Sequence, residues 1–209
     1  MPIARLITTL TLLIVNSLAL AQVGANNGVL NPNLAENAEL TALDGVTDAV
    51  AEAIIAARPI PSNVELDSVI GDALSDDEKS ALRHKLFLPV DLNAASEDEL
   101  KLVAGINRKM VHEFEEYRPY NSIEQFQREI GKYVDEDEVA RYEQYVFVPM
   151  DLNSASSEAF ASIPGMSGKM VREFEEYRPY SSMEQFRREM GKYVDENEVA
   201  RLERYVYID

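Results

Sequence analysis

Across residues 91–149 the apolar positions come in short bursts at helical spacing, each opened by a hydroxyl, amide or acidic side chain and closed by glycine or proline. Ser96-Glu97-Asp98-Glu99 has the form of a capping box, and Leu100 and Val103 follow it, so a short helix is predicted to stop at Ala104-Gly105. The turn Gly105-Ile106-Asn107 offers residues that tolerate positive φ, and a second helix then carries Met110, Val111, Phe114 and Tyr117 on one face. Arg118-Pro119 ends it, because proline removes a backbone donor and restricts its predecessor. A third helix opens at Ser122 with Gln125 three residues on, buries Ile123, Phe126 and Ile130, and breaks at Gly131. The fourth starts at Asp135 with Glu138 as its capping partner and buries Val139, Tyr142 and Tyr145 before Val146 to Pro149 leads on. The stretch reads as two helical hairpins, and the predicted fold class is all-α.

This pattern is repeated. Sliding the chain by 60 positions lays Asp91 on Asp151, and about 36 of the 59 overlapping positions are then identical. The same offset backwards puts Asn33, Ala35, Leu40, Gly45, Arg58, Pro59, Gly71 and Pro89 under Asn93, Ala95, Leu100, Gly105, Arg118, Pro119, Gly131 and Pro149. Three tandem units follow: a diverged first over 31–90, a second over 91–150 and a third over 151–209. Junctions as short as Leu-Pro-Val-Asp and Val-Pro-Met-Asp imply packed neighbours. Ahead of them, Arg5 and the apolar run Leu6 to Leu20 end in Ala19-Leu20-Ala21, the small-x-small pattern of a cleaved export signal. Residues 1–21 are accordingly a signal peptide, too short and too polar to span a bilayer, and residues 22–30 a leader. No membrane span is expected after cleavage.

Composition narrows the chemistry. With no cysteine among 209 residues, disulfides, thiolate metal sites and cysteine nucleophiles are excluded. Two histidines, His84 and His112, sit at non-equivalent places in the repeat, which argues against a histidine-based catalytic or metal constellation. A formal charge of -17 repels nucleic acid and anionic lipid, and the three units carry about -7, -7 and -4, so none is basic. The acidic quartet Asp135 to Glu138 lacks the alternating ligands of a calcium loop and reads as helix capping. Glu113, Glu115 and Glu116 read as a solvated helix face, and Tyr120, Tyr133, Tyr142 and Tyr145 as packing residues. Neither a cofactor nor a metal is expected, and no residue pair argues for an enzyme.

The run Asp151-Leu152-Asn153-Ser154-Ala155-Ser156, followed by Ile163-Pro164-Gly165-Met166-Ser167-Gly168-Lys169-Met170 and closing with Tyr177-Arg178-Pro179-Tyr180, resembles the helix-hairpin-helix family. The layout is most similar to ComEA-type competence DNA receptors and the photosystem II extrinsic protein U, and the resemblance covers nearly all of residues 31–209. In the DNA-binding members, backbone amides of the hairpin turn and of the next helix N-terminus grip phosphate. That is the anion affinity of any helix N-terminus. By this resemblance the candidate phosphate contacts are Gly105, Asn107, Arg108 and Lys109 in the second unit, and Gly165, Ser167, Gly168, Lys169 and Arg172 in the third. The family's second hairpin glycine is replaced by Asn107 and Ser167, and by Thr47 in the first unit, where Ala49 also replaces the lysine. A side chain there hinders the close backbone approach that phosphate needs.

The expected function is a non-enzymatic exported repeat protein that acts as a protein-interaction or scaffold subunit of an envelope assembly, for which protein U is the precedent. Its compartment would be the periplasm, the extracellular space or one like the thylakoid lumen. The alternative is a ComEA-like DNA-binding or uptake factor that makes weak contacts to the DNA backbone through the second and third hairpins.

Overall fold

The computed structural model describes Val23 and residues 28–209, so the predicted signal peptide and most of the leader lie outside the described residues. The described chain is mainly α-helical, with a few strands of two residues each. Its first segment carries α1 (Asn37–Thr41), α2 (Asp48–Ala56), α3 (Asn63–Ile70) and α4 (Asp76–Leu82). The second carries β1 (Val90–Asp91), α5 (Glu97–Leu100), α6 (Arg108–Glu116), α7 (Ile123–Ile130), α8 (Glu136–Glu143) and β2 (Val146–Phe147). The third carries β3 (Met150–Asp151), α9 (Ser157–Ala161), α10 (Gly168–Glu176), α11 (Met183–Met190), α12 (Glu196–Glu203) and β4 (Val206–Tyr207).

Local chemistry accounts for these boundaries. Ser96 and Glu99 form the predicted capping box, but α5 ends at Leu100, and Val103 and Ala104 are buried from the turn that follows. Ser122 and Asp135 cap α7 and α8 by accepting from the amides of Gln125 and Glu138. The Glu138 side chain, expected to complete a box with Asp135, is bound instead by Arg141 one turn on.

Two recurring polar devices hold the first hairpin of each segment. Asn93 takes the Tyr120 amide at 2.7 Å and donates to its carbonyl at 2.8 Å, and Asn153 does the same for Tyr180 and Asn33 for Ile60. Arg118 donates to the carbonyls of Leu92 at 2.6 Å and Ala95 at 2.7 Å, as Arg178 does to Leu152 and Ala155 and Arg58 to Pro32 and Ala35. The Arg-Pro bonds at 58–59, 118–119 and 178–179 are all cis. The Asp-Leu-Asn and Arg-Pro motifs are therefore structural fasteners that pair backbone groups a helix cannot reach.

The strands close each segment on itself. In parallel register Val90 lies opposite Val146 and Met150 opposite Val206, and Leu30 bridges Leu86 in the same sense. The short junctions between segments thus carry ladder bonds as well. Of the leader residues, Val29 joins the core of the second segment, and Val23 bridges Phe147 antiparallel. Aromatic side chains link the segments: Phe87 packs edge-on against Tyr145 at 5.1 Å, and Phe147 lies 4.6 Å from Tyr205. Arg204 reaches back from α12 to the Pro89 carbonyl at 3.0 Å.

Most tyrosines serve this packing, as their spacing predicted, and burial makes their ionisation difficult. Burial raises the phenols of Tyr120, Tyr145, Tyr180 and Tyr205, and burial together with Glu138 pushes Tyr142 up to about 12. In the unfolded chain the same groups ionise near the ordinary value of about 10. Their contribution is complete below that pH and is lost as pH rises through the folded values, so stability should fall between about pH 10 and 12. Urea midpoints read together with phenolate absorbance check this. Tyrosines that titrate freely near pH 10 in the folded protein would contradict it.

Candidate functional site

Each first hairpin turns on one glycine. Gly45, Gly105 and Gly165 have φ of 82°, 70° and 75°, a region that suits glycine alone. Asn107, expected to share the positive-φ turn, has φ -107° and is instead the N-cap of α6. Its side-chain oxygen takes the Met110 amide at 3.0 Å, Ser167 takes the Met170 amide at 3.2 Å at the start of α10, and Thr47 takes the Val50 amide at 3.4 Å on α2. One of the donors that a phosphate would want is thus already satisfied, and the cap presents an acceptor oxygen to any approaching anion.

Behind the turn, an arginine from the last helix of the segment fastens it. Arg141 donates to the Ala104 carbonyl and grips Glu138 at 2.6 and 2.7 Å. Arg201, only 3% exposed, donates to the Pro164 carbonyl at 2.6 Å and grips Glu198 at 2.7 Å. Sequence reading assigned these arginines no role. In the first segment Ala81 stands there, and Leu74 packs beneath Gly45 instead.

The candidate lysines follow the caps, and the second hairpin draws them into a cluster. Lys109 Nζ sits 4.9 Å from the centre of the Tyr133 ring, and Lys132 Nζ sits 4.8 Å from that of Tyr117. The Tyr117 and Tyr133 hydroxyls are 2.8 Å apart. Lys132 also pairs with Glu129, and that contact holds the Glu129 carboxyl below its usual range. Lys169, Lys192, Tyr177, Tyr193 and Glu189 repeat the arrangement in the third segment. Glu113, expected on a solvated face, is buried beneath it. The first segment has Ala49, Ala53, Ala57, Val69, Asp72 and Ala73 at the six positions equivalent to Lys109, Glu113, Tyr117, Glu129, Lys132 and Tyr133. Their joint replacement was the one signal in the sequence that could have revealed the cluster.

Arg108 and Arg172 are exposed and form no salt bridge among the described residues. Gly168 opens α10 with open space beside it, whereas a Cβ on Gly165 would lie 3.1 Å from Leu34 of the first segment. The candidate residues of the second hairpin-bearing segment therefore lie together on an open turn, and those of the third share their turn with Leu34. On the second hairpins, grooves of about 830 and 760 Å³ run between α7 and α8 and between α11 and α12. Val134, Val139 and Ala140 line the first among charged side chains such as Arg128 and Glu143, and Val194, Val199 and Ala200 line the second beside Arg187 and Glu203. No helix among the described residues is long and apolar enough to cross a membrane, and no group of three or more His, Asp or Glu side chains there is placed to hold a metal. Comparison with family models, with curated proteins and with solved structures finds nothing that matches this chain.

Proposed function

We propose that this chain is a non-enzymatic, exported helix-hairpin-helix repeat protein that works as a protein-interaction or scaffold subunit of an envelope assembly. The observation that carries this reading is the state of the hairpin helices. Each is capped by its own Asn, Ser or Thr side chain, and the lysines that follow rest against tyrosine rings. Nonspecific DNA binding draws most of its affinity from several free cations meeting phosphates. Here the hairpins hold few, on a chain of formal charge -17. Paired grooves of mixed apolar and charged lining and segments fastened to one another suit docking on a larger protein. The small-x-small site before Gln22 supports export.

The second reading, a ComEA-like factor that binds DNA outside the cytoplasm, is favoured by Arg108 and Arg172, which stand exposed near helix N-termini. A pull-down with the mature chain from envelope extract separates the two. The scaffold reading expects one or a few proteins retained in stoichiometric amount through a nuclease wash. An eluate that holds only nucleic acid, lost on nuclease treatment, counts against it.

A further inference from the structure

The closing strand of each segment has an inner edge, paired with the start of its own segment, and an outer edge, because backbone groups alternate in direction along a strand. The outer edge is covered differently in each segment. At Leu88, the Asn63 side chain takes the amide at 2.9 Å and donates to the carbonyl at 2.8 Å, imitating a strand neighbour. At the equivalent place in the second segment Val23 lies antiparallel beside Phe147 and is buried there. In the third segment Met183 replaces Asn63, and no described residue pairs with the outer edge of β4. The aromatic side chains beside that edge are covered by the segment that follows, Phe87 by Tyr145 and Phe147 by Tyr205, while Tyr207 is 46% exposed.

We propose that the outer edge of β4, Val206 to Ile208, is a docking edge for an extended segment of a partner protein. The segment adds antiparallel, with a β-branched aliphatic residue opposite Tyr207 and a lysine or arginine two residues from it, on the same face. The mode and side chain come from Val23, which fills the same position one repeat earlier. The charge comes from the surroundings. Asp151 lies opposite Tyr207 in the ladder and Asp209 stands two residues on, so both carboxylates belong to the Tyr207 face and a cation on that face meets two acids. An open strand edge with an exposed aromatic is a template for strand addition, in which main-chain bonds give affinity and alternate side chains give selectivity. This inference rests on the scaffold reading and names the chemistry of its partner.

Anisotropy titrations of the mature chain with three labelled peptides test it. One carries valine and lysine in turn at every second position with threonine between, one has glutamate in place of the lysine, and one copies residues 22–29. The valine-lysine peptide should bind about tenfold or more tighter than the valine-glutamate one. Ile208→Pro removes an outward amide donor, and Tyr207→Asp removes the aromatic seat while adding negative charge. Both variants should weaken that peptide about tenfold or more with helical content unchanged. Simple charge attraction would instead make Tyr207→Asp bind more tightly, so its weakening isolates the edge. No saturable binding, or equal binding by both variants, overturns the proposal. Preference for the copy of residues 22–29, with self-association in sedimentation, overturns it in favour of a second copy of this chain. An envelope protein captured equally by wild type and Ile208→Pro overturns this edge and leaves the scaffold reading standing.

Discussion

Phe147→Ala should lower the stability of the protein by about 3–5 kcal/mol, the range for truncating a buried aromatic. The ring is 1% exposed and belongs to the core of the third segment although β2 closes the second. It packs on Tyr205, lies under the Arg204 guanidinium and adjoins Val23. Truncation therefore opens a cavity at a joint. Arg204, whose burial already holds its pKa down, also loses one of its two aromatic neighbours, keeping Tyr205, while still spanning to Pro89. Urea unfolding of the variant should show a lowered midpoint and, because the joint couples two cores, a broadened or split transition. A loss under about 1 kcal/mol would mean that the segments are not packed neighbours.

Gly165→Val should cost about 2–4 kcal/mol. A β-branched residue at φ 75° is strained wherever it stands, and here its Cβ would also meet Leu34 at 3.1 Å. Gly168→Ala, three residues on, serves as the control. Nothing lies within 4 Å of the added methyl, its φ is not in the left-handed region, and alanine restricts the unfolded chain. That variant should be neutral or stabilised by up to about 1 kcal/mol. Equal midpoints for the two variants would show that the turn does not pivot on Gly165.

Helix starts were legible because their causes are local. Ser96, Ser122 and Asp135 each announce a cap within three residues, and Gly131 and Pro119 announce ends. What escaped depends on partners far along the chain. A strand of two residues has no periodicity to read, and Val90 is a strand residue only because Val146 lies beside it. Helical spacing placed Glu113 on the solvent side. The second hairpin, with Tyr133 in reach of Tyr117, folds over that side and buries it. Glu138 had two local options, and the bidentate bond to Arg141, itself fixed on the Ala104 carbonyl, won over the capping box.

The candidate site was legible as a location and less so as chemistry. Gly105, Asn107, Arg108 and Lys109 do lie together at one turn and helix start. Sequence alone could not show that the Asn107 side chain spends its oxygen on Met110, or that Lys109 finds an aromatic ring. Nor could it show Leu34 crossing from the first segment to the third hairpin.

The central claim is that these hairpins are structural joints and docking surfaces rather than phosphate grips. Fluorescence anisotropy with a labelled DNA duplex tests it most directly, run on the mature wild type and on the Lys109→Glu, Lys169→Glu double variant at two salt concentrations. The account predicts a dissociation constant weaker than about 10⁻⁴ M near physiological salt, with little difference between the two proteins. Micromolar binding that is lost in the double variant, with a salt slope reporting about two to four phosphates, would contradict it and establish the DNA-binding reading.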